Sequence, residues 1–232
     1  MNARILFWIL FFSIFAPGVY GQDLVRDCID VNDQGEGLSL AIDGLGKMHL
    51  SHGTRVQGNL RYTVVDVDGS VVHQSVANRL HRFPTSETLG TGIVLDGDTV
   101  FLCFHNQLAQ TMNFAARSNG VWQTSIIESN VTGDGCAISM LADQVDVFYE
   151  ANGNLRWAKK IGDAQWTRQT VDGSRERVGV LPSVARSQNG NLVVAYRDME
   201  NLSLKVALLS ADGWQIERPV NPFPNGGHNA RV

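Results

Sequence analysis

The chain has 232 residues, of which 44% are hydrophobic and 18% charged, and its formal net charge is −4. This balance builds no basic face, so neither a nucleic-acid partner nor a polybasic membrane contact is expected. The low charge and the 23 glycines are typical of many short strands joined by tight turns, in one all-β domain or two smaller ones.

Residues 1–21 have the pattern of a signal peptide. Arg4 precedes an apolar stretch of 12 residues, 5–16, which Pro17 and Gly18 end. Such a stretch is too short to span a bilayer comfortably. The sequence therefore predicts a secreted or periplasmic protein with no transmembrane segment after cleavage. An uncleaved N-terminal anchor is the alternative.

A unit of four predicted strands, labelled A to D, recurs four times in the rest of the chain. A large ring-bearing residue ends strand B in each unit, at separations of 52, 45 and 47 residues: His52, Phe104, Tyr149 and Tyr196. Strand C opens 8, 8, 6 and 8 residues later, at Leu60, Met112, Leu155 and Leu204. Three of the four A–B turns carry Asp-Gly or Asn-Gly, which supply the positive φ of tight hairpins.

A single four-stranded antiparallel unit cannot bury both of its faces, so the units must stack. Radial stacking produces a β-propeller, and we predict an all-β propeller domain over 22–232 with blades at roughly 37–73, 91–129, 135–172 and 179–220. Residues 23–33 resemble a strand D, and 226–232 resemble the start of another strand A. Either the chain is a fragment of a longer propeller or the ring is incomplete. A free inner edge promotes aggregation, which favours the fragment.

The three cysteines are Cys28, Cys103 and Cys136. An exported chain meets an oxidising compartment, so one pair can form and one cysteine is left over. Cys103 and Cys136 fall in predicted inner strands, where a cysteine is often a small buried apolar residue. We favour that interpretation over a disulfide.

No metal site and no cofactor are predicted. The C-x-x-C spacing is absent, and only Asp66 to Gly69 resembles part of a calcium loop. Position 12 of such a loop needs a glutamate, but Ala77 stands there. A C–D hairpin turn explains Asp66 to Gly69 without a metal.

The repeat resembles those of sialidase-like (BNR-type) propellers of exported bacterial proteins over residues 37–214, on the motifs Asp43-Gly44, His49-Leu-Ser-His52 and Asn59-Leu-Arg-Tyr62. The strict Asp-box of that family, Ser-x-Asp-x-Gly-x-Thr-Trp, is absent. The resemblance implies the propeller fold and, in the enzymes, an arginine triad with a tyrosine–glutamate pair. No residue of this chain is assigned to those roles by motif.

Candidate ligand residues follow the strand-B residues, where the B–C loops share one propeller face with the D–A loops. They are His105, Glu150, Arg197 and Asp198, of which the last three are also weak catalytic candidates. The strand-B residue recurs in every unit, but the residue after it differs from unit to unit. Core packing therefore does not fix that second residue, which can serve a binding site. A solvated loop is the favoured alternative.

Two further sets recur in the repeat and are better explained by packing. Tyr149 and Glu150 are neighbours on a strand and point to opposite faces, so Tyr149 is assigned to the core. Strand C carries aligned basic residues, for which we expect a structural role: Arg61, Arg156 and Lys205.

A tryptophan opens strand D in three units: Trp122, Trp166 and Trp214. Tryptophan has the large apolar face that stacks on sugar rings, so these residues are ligand-binding candidates. A residue that packs between blades would recur just as regularly, and we favour packing.

These features predict a secreted or periplasmic binding propeller whose ligand is a glycan or another surface polymer. A sialidase-like glycoside hydrolase is the first alternative, and it would need a pair of carboxylates about 5 Å apart. A scaffold that only binds proteins is the second.

Overall fold

The computed structural model describes residues 35–54, 56–81, 90–133, 135–173, 177–187 and 189–219. The predicted signal peptide and the predicted partial strands at 23–33 and 226–232 lie outside these ranges. Within them, no helix is long and apolar enough to cross a membrane.

The described residues form sixteen β-strands. In chain order they are β1 Gly35–Ile42, β2 Met48–Thr54, β3 Leu60–Val65, β4 Val71–Ala77, β5 Thr91–Asp96, β6 Thr99–Asn106, β7 Thr111–Ser118, β8 Val121–Ser129, β9 Cys136–Leu141, β10 Gln144–Ala151, β11 Asn154–Lys160, β12 Trp166–Asp172, β13 Val178–Arg186, β14 Leu192–Asp198, β15 Ser203–Ser210 and β16 Gly213–Glu217.

The strands form four antiparallel sheets, each made of four consecutive strands in sequence order. Blades 1 to 4 are therefore β1–β4, β5–β8, β9–β12 and β13–β16. This arrangement confirms the predicted fold class, an all-β propeller of four-stranded blades. The inner strands β1, β5, β9 and β13 correspond to strand A and neighbour one another in that order.

The A–B turns are of two lengths. In blades 2 and 3 two residues connect the strands, and Gly97 takes a φ of 52°, as a tight hairpin requires. In blade 1 the loop has five residues, 43–47, and the Asp43 carboxylate accepts hydrogen bonds from the backbone N–H groups of Leu45 and Lys47. Positive φ falls there on Gly46 instead of Gly44.

The hydrophobic core lies between blades. Three clusters of buried residues join blades 1 and 2, 2 and 3, and 3 and 4, and their largest members include Tyr62 and Leu102, then Phe114 and Tyr149, then Phe148 and Tyr196. Alternate side chains of a strand therefore face the preceding and the following blade. Within the described residues, blades 2 and 3 are thereby covered on both apolar faces, whereas blades 1 and 4 are covered on one.

The four ring-bearing residues of strand B are buried, as core positions should be: His52, Phe104, Tyr149 and Tyr196. They do not end their strands, however. Each of β2, β6, β10 and β14 continues two residues further, to Thr54, Asn106, Ala151 and Asp198. The residues that were predicted to begin the B–C loops are thus strand residues.

Cys103 and Cys136 form a disulfide with an S–S distance of 2.11 Å. The interpretation of these residues as unpaired apolar cysteines was wrong. Cys103 lies on β6 of blade 2 and Cys136 on β9 of blade 3, so stacking the blades brings their Cα atoms to 6.2 Å. Cys28 lies outside the described residues.

Candidate ligand site at the propeller axis

The four inner strands surround a cavity of about 970 Å³. Four runs of four residues form its wall, 37–40, 90–93, 135–138 and 181–184, and of these residues only Gly90 and Gly135 directly precede their strands. These residues lie at the beginning of β5 and β9 and in the middle of β1 and β13. One end of the cavity carries the B–C and D–A connections.

The wall combines apolar side chains with unused backbone edges. Leu38 and Leu40 are 53% and 50% exposed although they are large and apolar. Ser39 and Ser183 add hydroxyl groups to the wall, whereas the Thr91 hydroxyl is buried and donates to the carbonyl oxygen of Cys103 at 2.9 Å. Each inner strand is the edge of its sheet, so its outer backbone N–H and C=O groups point toward the axis. Among the described lining residues, none has an ionisable acidic or basic side chain.

The inner strands differ in regularity. β5 and β9 pair with their neighbours in continuous register, whereas β1 has a bulge between Glu36 and Ser39 and β13 a bulge between Val180 and Ser183. The extra residues include Leu38 on β1, and Leu181 and Pro182 on β13, all of which line the cavity. Bulges of this kind redirect side chains and are frequent beside binding sites.

The connections around the cavity mouth are joined by a repeated pair of backbone hydrogen bonds. Each D–A connection lies between the B–C turns of two consecutive blades and bonds to both. The bonds run from Leu80 N to Gly58 O (2.6 Å), Leu108 N to Leu80 O (3.1 Å), Val131 N to Gln110 O (2.9 Å), Asn152 N to Thr132 O (2.9 Å), Val178 N to Gly153 O (3.1 Å) and Met199 N to Arg177 O (2.8 Å). These bonds tie the described parts of the connections, here called the rim, to one another.

His105 and Glu150 lie beneath this rim and are buried, so the expectation of a solvated loop was wrong for both. His105 Nε2 lies 2.9 Å from the carbonyl oxygen of Val131. Glu150, only 2% exposed, accepts two hydrogen bonds from the Arg177 guanidinium, at 2.8 and 3.3 Å. Both side chains tie strand B to the following D–A connection. The physical reason is that β6 and β10 extend past the predicted ends.

Asp198 closes the B–C turn of blade 4 and is fully buried. Its carboxylate accepts hydrogen bonds from the backbone N–H groups of Glu200 and Asn201, at 3.2 and 3.0 Å, and from Arg218 at 3.2 Å. The solvated-loop alternative was therefore wrong for Asp198 too. Arg197 is half-buried on β14. The predicted site residues thus lie in three blades, and none of them lines the axial cavity.

The three strand-D tryptophans pack their rings against the preceding blade. The ring of Trp122 lies 5.3 Å from that of Tyr62, Trp166 lies 5.2 Å from Phe114, and Trp214 lies 5.5 Å from Trp157, all edge to face. Such pairs stabilise an interface beyond the area that they bury. The geometry supports the packing interpretation of these ligand-binding candidates.

A repeated clamp of tyrosine, acid and base joins blades 2, 3 and 4. The Tyr149 hydroxyl donates to Glu128 of the preceding blade at 2.5 Å, and Arg156 lies 3.3 Å from the same carboxylate. In the next blade, Tyr196 donates to Asp172 at 2.8 Å and Lys205 at 3.0 Å completes the set. The predicted structural role of Arg156 and Lys205 fits these contacts. Aligning the four repeats of the chain identifies the tyrosines and the basic residues. Their acidic partners, Glu128 and Asp172, do not stand out in that alignment.

The clamp has the residue types of a tyrosine nucleophile site, but its tyrosines Tyr149 and Tyr196 are fully buried. Burial, followed by the hydrogen bond to Glu128, raises the pKa of Tyr149 far above its ordinary value. Because the same set recurs at Tyr196, the arrangement is a joint between blades.

The turn from Asp66 to Gly69 is a C–D hairpin, as expected. Asp68 accepts a hydrogen bond from the Ser70 backbone at 2.8 Å, and this bond lowers the pKa of the Asp68 carboxyl. Lys47 pairs with Asp66 at 2.5 Å. Across the described ranges, no group of three or more histidine, cysteine or acidic residues is placed to hold a metal ion.

Comparison with protein-family models finds no match, and neither does comparison with curated proteins. Solved structures are similar in fold. The α-L-arabinanase of Penicillium chrysogenum, complexed with arabinobiose, is 10% identical, with a TM-score of 0.57 over 81% of this chain and 67% of its own.

Two further structures show the same likeness. The GH93 α-L-arabinofuranosidase of Fusarium graminearum, in complex with arabinobiose, is 11% identical, with a TM-score of 0.54 over 86% of this chain and 70% of its own. Virginiamycin B lyase from Staphylococcus aureus is 14% identical, with a TM-score of 0.52 over 83% of this chain and 58% of its own. The chain thus spans between 58% and 70% of the length of these three structures. At such low identity the likeness establishes the propeller fold alone, and the sialidase-like assignment stays a prediction.

Proposed function

We propose that this protein is a glycan-binding propeller whose ligand occupies the axial cavity. The observation that carries the proposal is the cavity wall, in which exposed leucines alternate with hydroxyls and with the backbone edges of four strands. A sugar ring presents an apolar C–H face and a polar rim of hydroxyls, and both find complementary groups here. A volume of about 970 Å³ lies within the range of small-molecule sites.

Two other observations support a glycan as the ligand. Two of the structures that share the fold are complexes with arabinobiose. The signal-peptide pattern of residues 1–21 favours a secreted or periplasmic protein, which would meet surface polymers.

Binding without hydrolysis is the form of the proposal that the geometry favours. Glycoside hydrolysis uses two carboxyl groups that flank the scissile bond. The described lining residues carry no carboxyl group, and Glu150 and Asp198 lie away from the cavity in ion pairs. The hydrolase alternative predicts turnover of aryl glycosides, including sialosides.

A pair of charge substitutions on one strand tests the proposal. Leu40 and Ile42 lie on the same face of β1 and both are exposed, but only Leu40 lines the cavity. Leu40→Glu should weaken retention on a glycan array at least about tenfold, because a carboxylate in an apolar wall must stay hydrated. Ile42→Glu is the matched control and should bind as the wild type does.

The same array separates the alternatives. Retention of no glycan by the wild-type protein, or equal retention by Leu40→Glu, contradicts the proposal. Release of fluorogenic product from an aryl glycoside would instead establish the hydrolase. Absence of both activities leaves the protein scaffold.

A further inference from the structure

Leu181 has a backbone conformation that is unfavourable for leucine. It sits in the bulge of β13 with a φ of 48°, in the left-handed region that favours glycine. Strained residues of this kind concentrate at binding sites, where the surrounding structure holds them. Leucine stands here despite the strain, and its side chain lines the axial cavity.

The neighbouring inner strand leaves room for this side chain. A methyl group of Leu181 lies 3.4 Å from the point at which a side chain on Gly135 would begin. Gly135 has a φ of 78°, so a larger residue there would be strained, although its Cβ would make only ordinary van der Waals contact with Leu181. Leu181 is thus supported by the backbone of blade 3.

The bulge of β1 provides the second apolar group. Leu38 falls within that bulge, lines the same cavity and is 53% exposed. β1 and β13 are the first and the last of the four inner strands, while the two strands between them are regular. The two inner strands that contain bulges, β1 and β13, are therefore the strands whose bulge leucines, Leu38 and Leu181, line the cavity.

We propose that Leu38 and Leu181 are specificity-determining residues that contact the apolar face of a neutral sugar, an inference that rests on the proposed function. Apolar side chains pack against the C–H face of a ring, while Ser39 and the backbone edges face its hydroxyls. An anionic sugar would have to shed water beside these apolar groups, which is unfavourable without a counter-charge. The ligand class is therefore an uncharged oligosaccharide.

The test compares two leucines of blade 4 with the same backbone strain. Leu202 has a φ of 47°, is exposed in the B–C turn and does not line the cavity. Leu181→Gly and Leu202→Gly both relieve strain, but only the first removes a cavity side chain. Leu181→Met retains an apolar side chain at the site.

Binding is measured by electrophoresis in gels that contain arabinan, galactan, dextran or polygalacturonate. Leu181→Gly should bind the most strongly retarding neutral polysaccharide about tenfold more weakly, since it loses the burial of one leucine. Its Tm should stay within about 4 °C of the wild-type value. Leu202→Gly should bind as the wild type does, and Leu181→Met, which keeps an apolar side chain of different shape, should bind more weakly than the wild type but more strongly than Leu181→Gly.

The outcomes distinguish failure of the proposed glycan binding from failure of the role proposed for Leu181. If none of the three neutral polysaccharides retards the wild-type protein, the proposed function fails. If one does and Leu181→Gly binds it equally well, only the role of Leu181 is overturned. Stronger retardation by polygalacturonate than by the neutral polymers overturns the assignment of an uncharged ligand.

Discussion

Two buried tyrosines, Tyr149 and Tyr196, each donate a hydrogen bond to a carboxylate of the preceding blade. Both phenols stay protonated at pH values above the ordinary pKa of tyrosine. Burial, and then the hydrogen bond to Glu128 or Asp172, raises the pKa of Tyr149 and Tyr196 above 10. In the unfolded chain both phenols titrate near 10. Above that pH the unfolded state loses protons that the folded state keeps, so stability falls as pH rises.

The free energy of unfolding should therefore decrease above pH 10, by about 1.4 kcal/mol per pH unit for each of these tyrosines. The double variant Tyr149→Phe/Tyr196→Phe should show a clearly shallower decrease. Urea denaturation at several pH values between 9 and 11 measures the slopes. Equal slopes for both proteins would mean that these phenols titrate normally in the fold.

Glu150 acts as a buried anchor for the D–A connection between blades 3 and 4. Glu150→Gln should lower the free energy of unfolding by about 1–2 kcal/mol, because the amide cannot satisfy both guanidinium contacts of Arg177. The loss of stability is small because Arg177 is 46% exposed, so water can hydrate its guanidinium when the carboxylate is removed. Glu217→Gln, on exposed β16, is the control and should leave denaturation unchanged. Unchanged stability of Glu150→Gln would remove this structural role.

Among the elements, the outer strands contribute aromatic side chains to the joints between blades. Trp166 on β12 is buried against Phe114 of the preceding blade. Trp166→Ala should lower the free energy of unfolding by about 3–5 kcal/mol. Ile216→Ala, on the exposed part of β16, should change it by less than about 1 kcal/mol. If Trp166→Ala kept full stability but lost glycan binding, the tryptophan would belong to the ligand site instead.

The disulfide joins β6 to β9 and so ties blade 2 to blade 3. Its cysteines are 33 residues apart, a loop for which chain-entropy estimates give about 4 kcal/mol of stabilisation. Reducing agent should therefore lower the Tm of the wild-type protein. The double variant Cys103→Ala/Cys136→Ala should start from a lower Tm and show no response to the agent. A wild-type Tm that is insensitive to complete reduction contradicts this contribution.

How far the sequence predicts these elements depends on whether the signal is local. The spacing from Phe104 to Met112, or from Tyr196 to Leu204, places strands B and C because hairpin turns and strand periodicity are local properties. The Cys103–Cys136 bond and the Glu128–Tyr149 contact cross from one blade to the next, and no local pattern records that proximity. Leu181 was missed for a related reason, since a bulge depends on the pairing of two strands.

On the scale of the whole molecule, four blades arrange their inner edges around one cavity. The residues singled out for their chemistry, Glu150 and Asp198 among them, hold the rim of that cavity together. The cavity wall itself consists of apolar and hydroxyl residues that carry no catalytic motif, such as Leu40 and Ser39. The proposed function therefore depends on the geometry of the inner strands more than on charged side chains.

Hydrogen exchange tests this account most directly, measured with and without the neutral polysaccharide that retards the protein most strongly. Bound glycan should slow exchange in the four inner segments 37–40, 90–93, 135–138 and 181–184, because their backbone edges face the cavity. The outer strands β8, β12 and β16 should exchange at unchanged rates. Protection confined to those tryptophan-bearing strands, with none at the axis, would contradict the axial site.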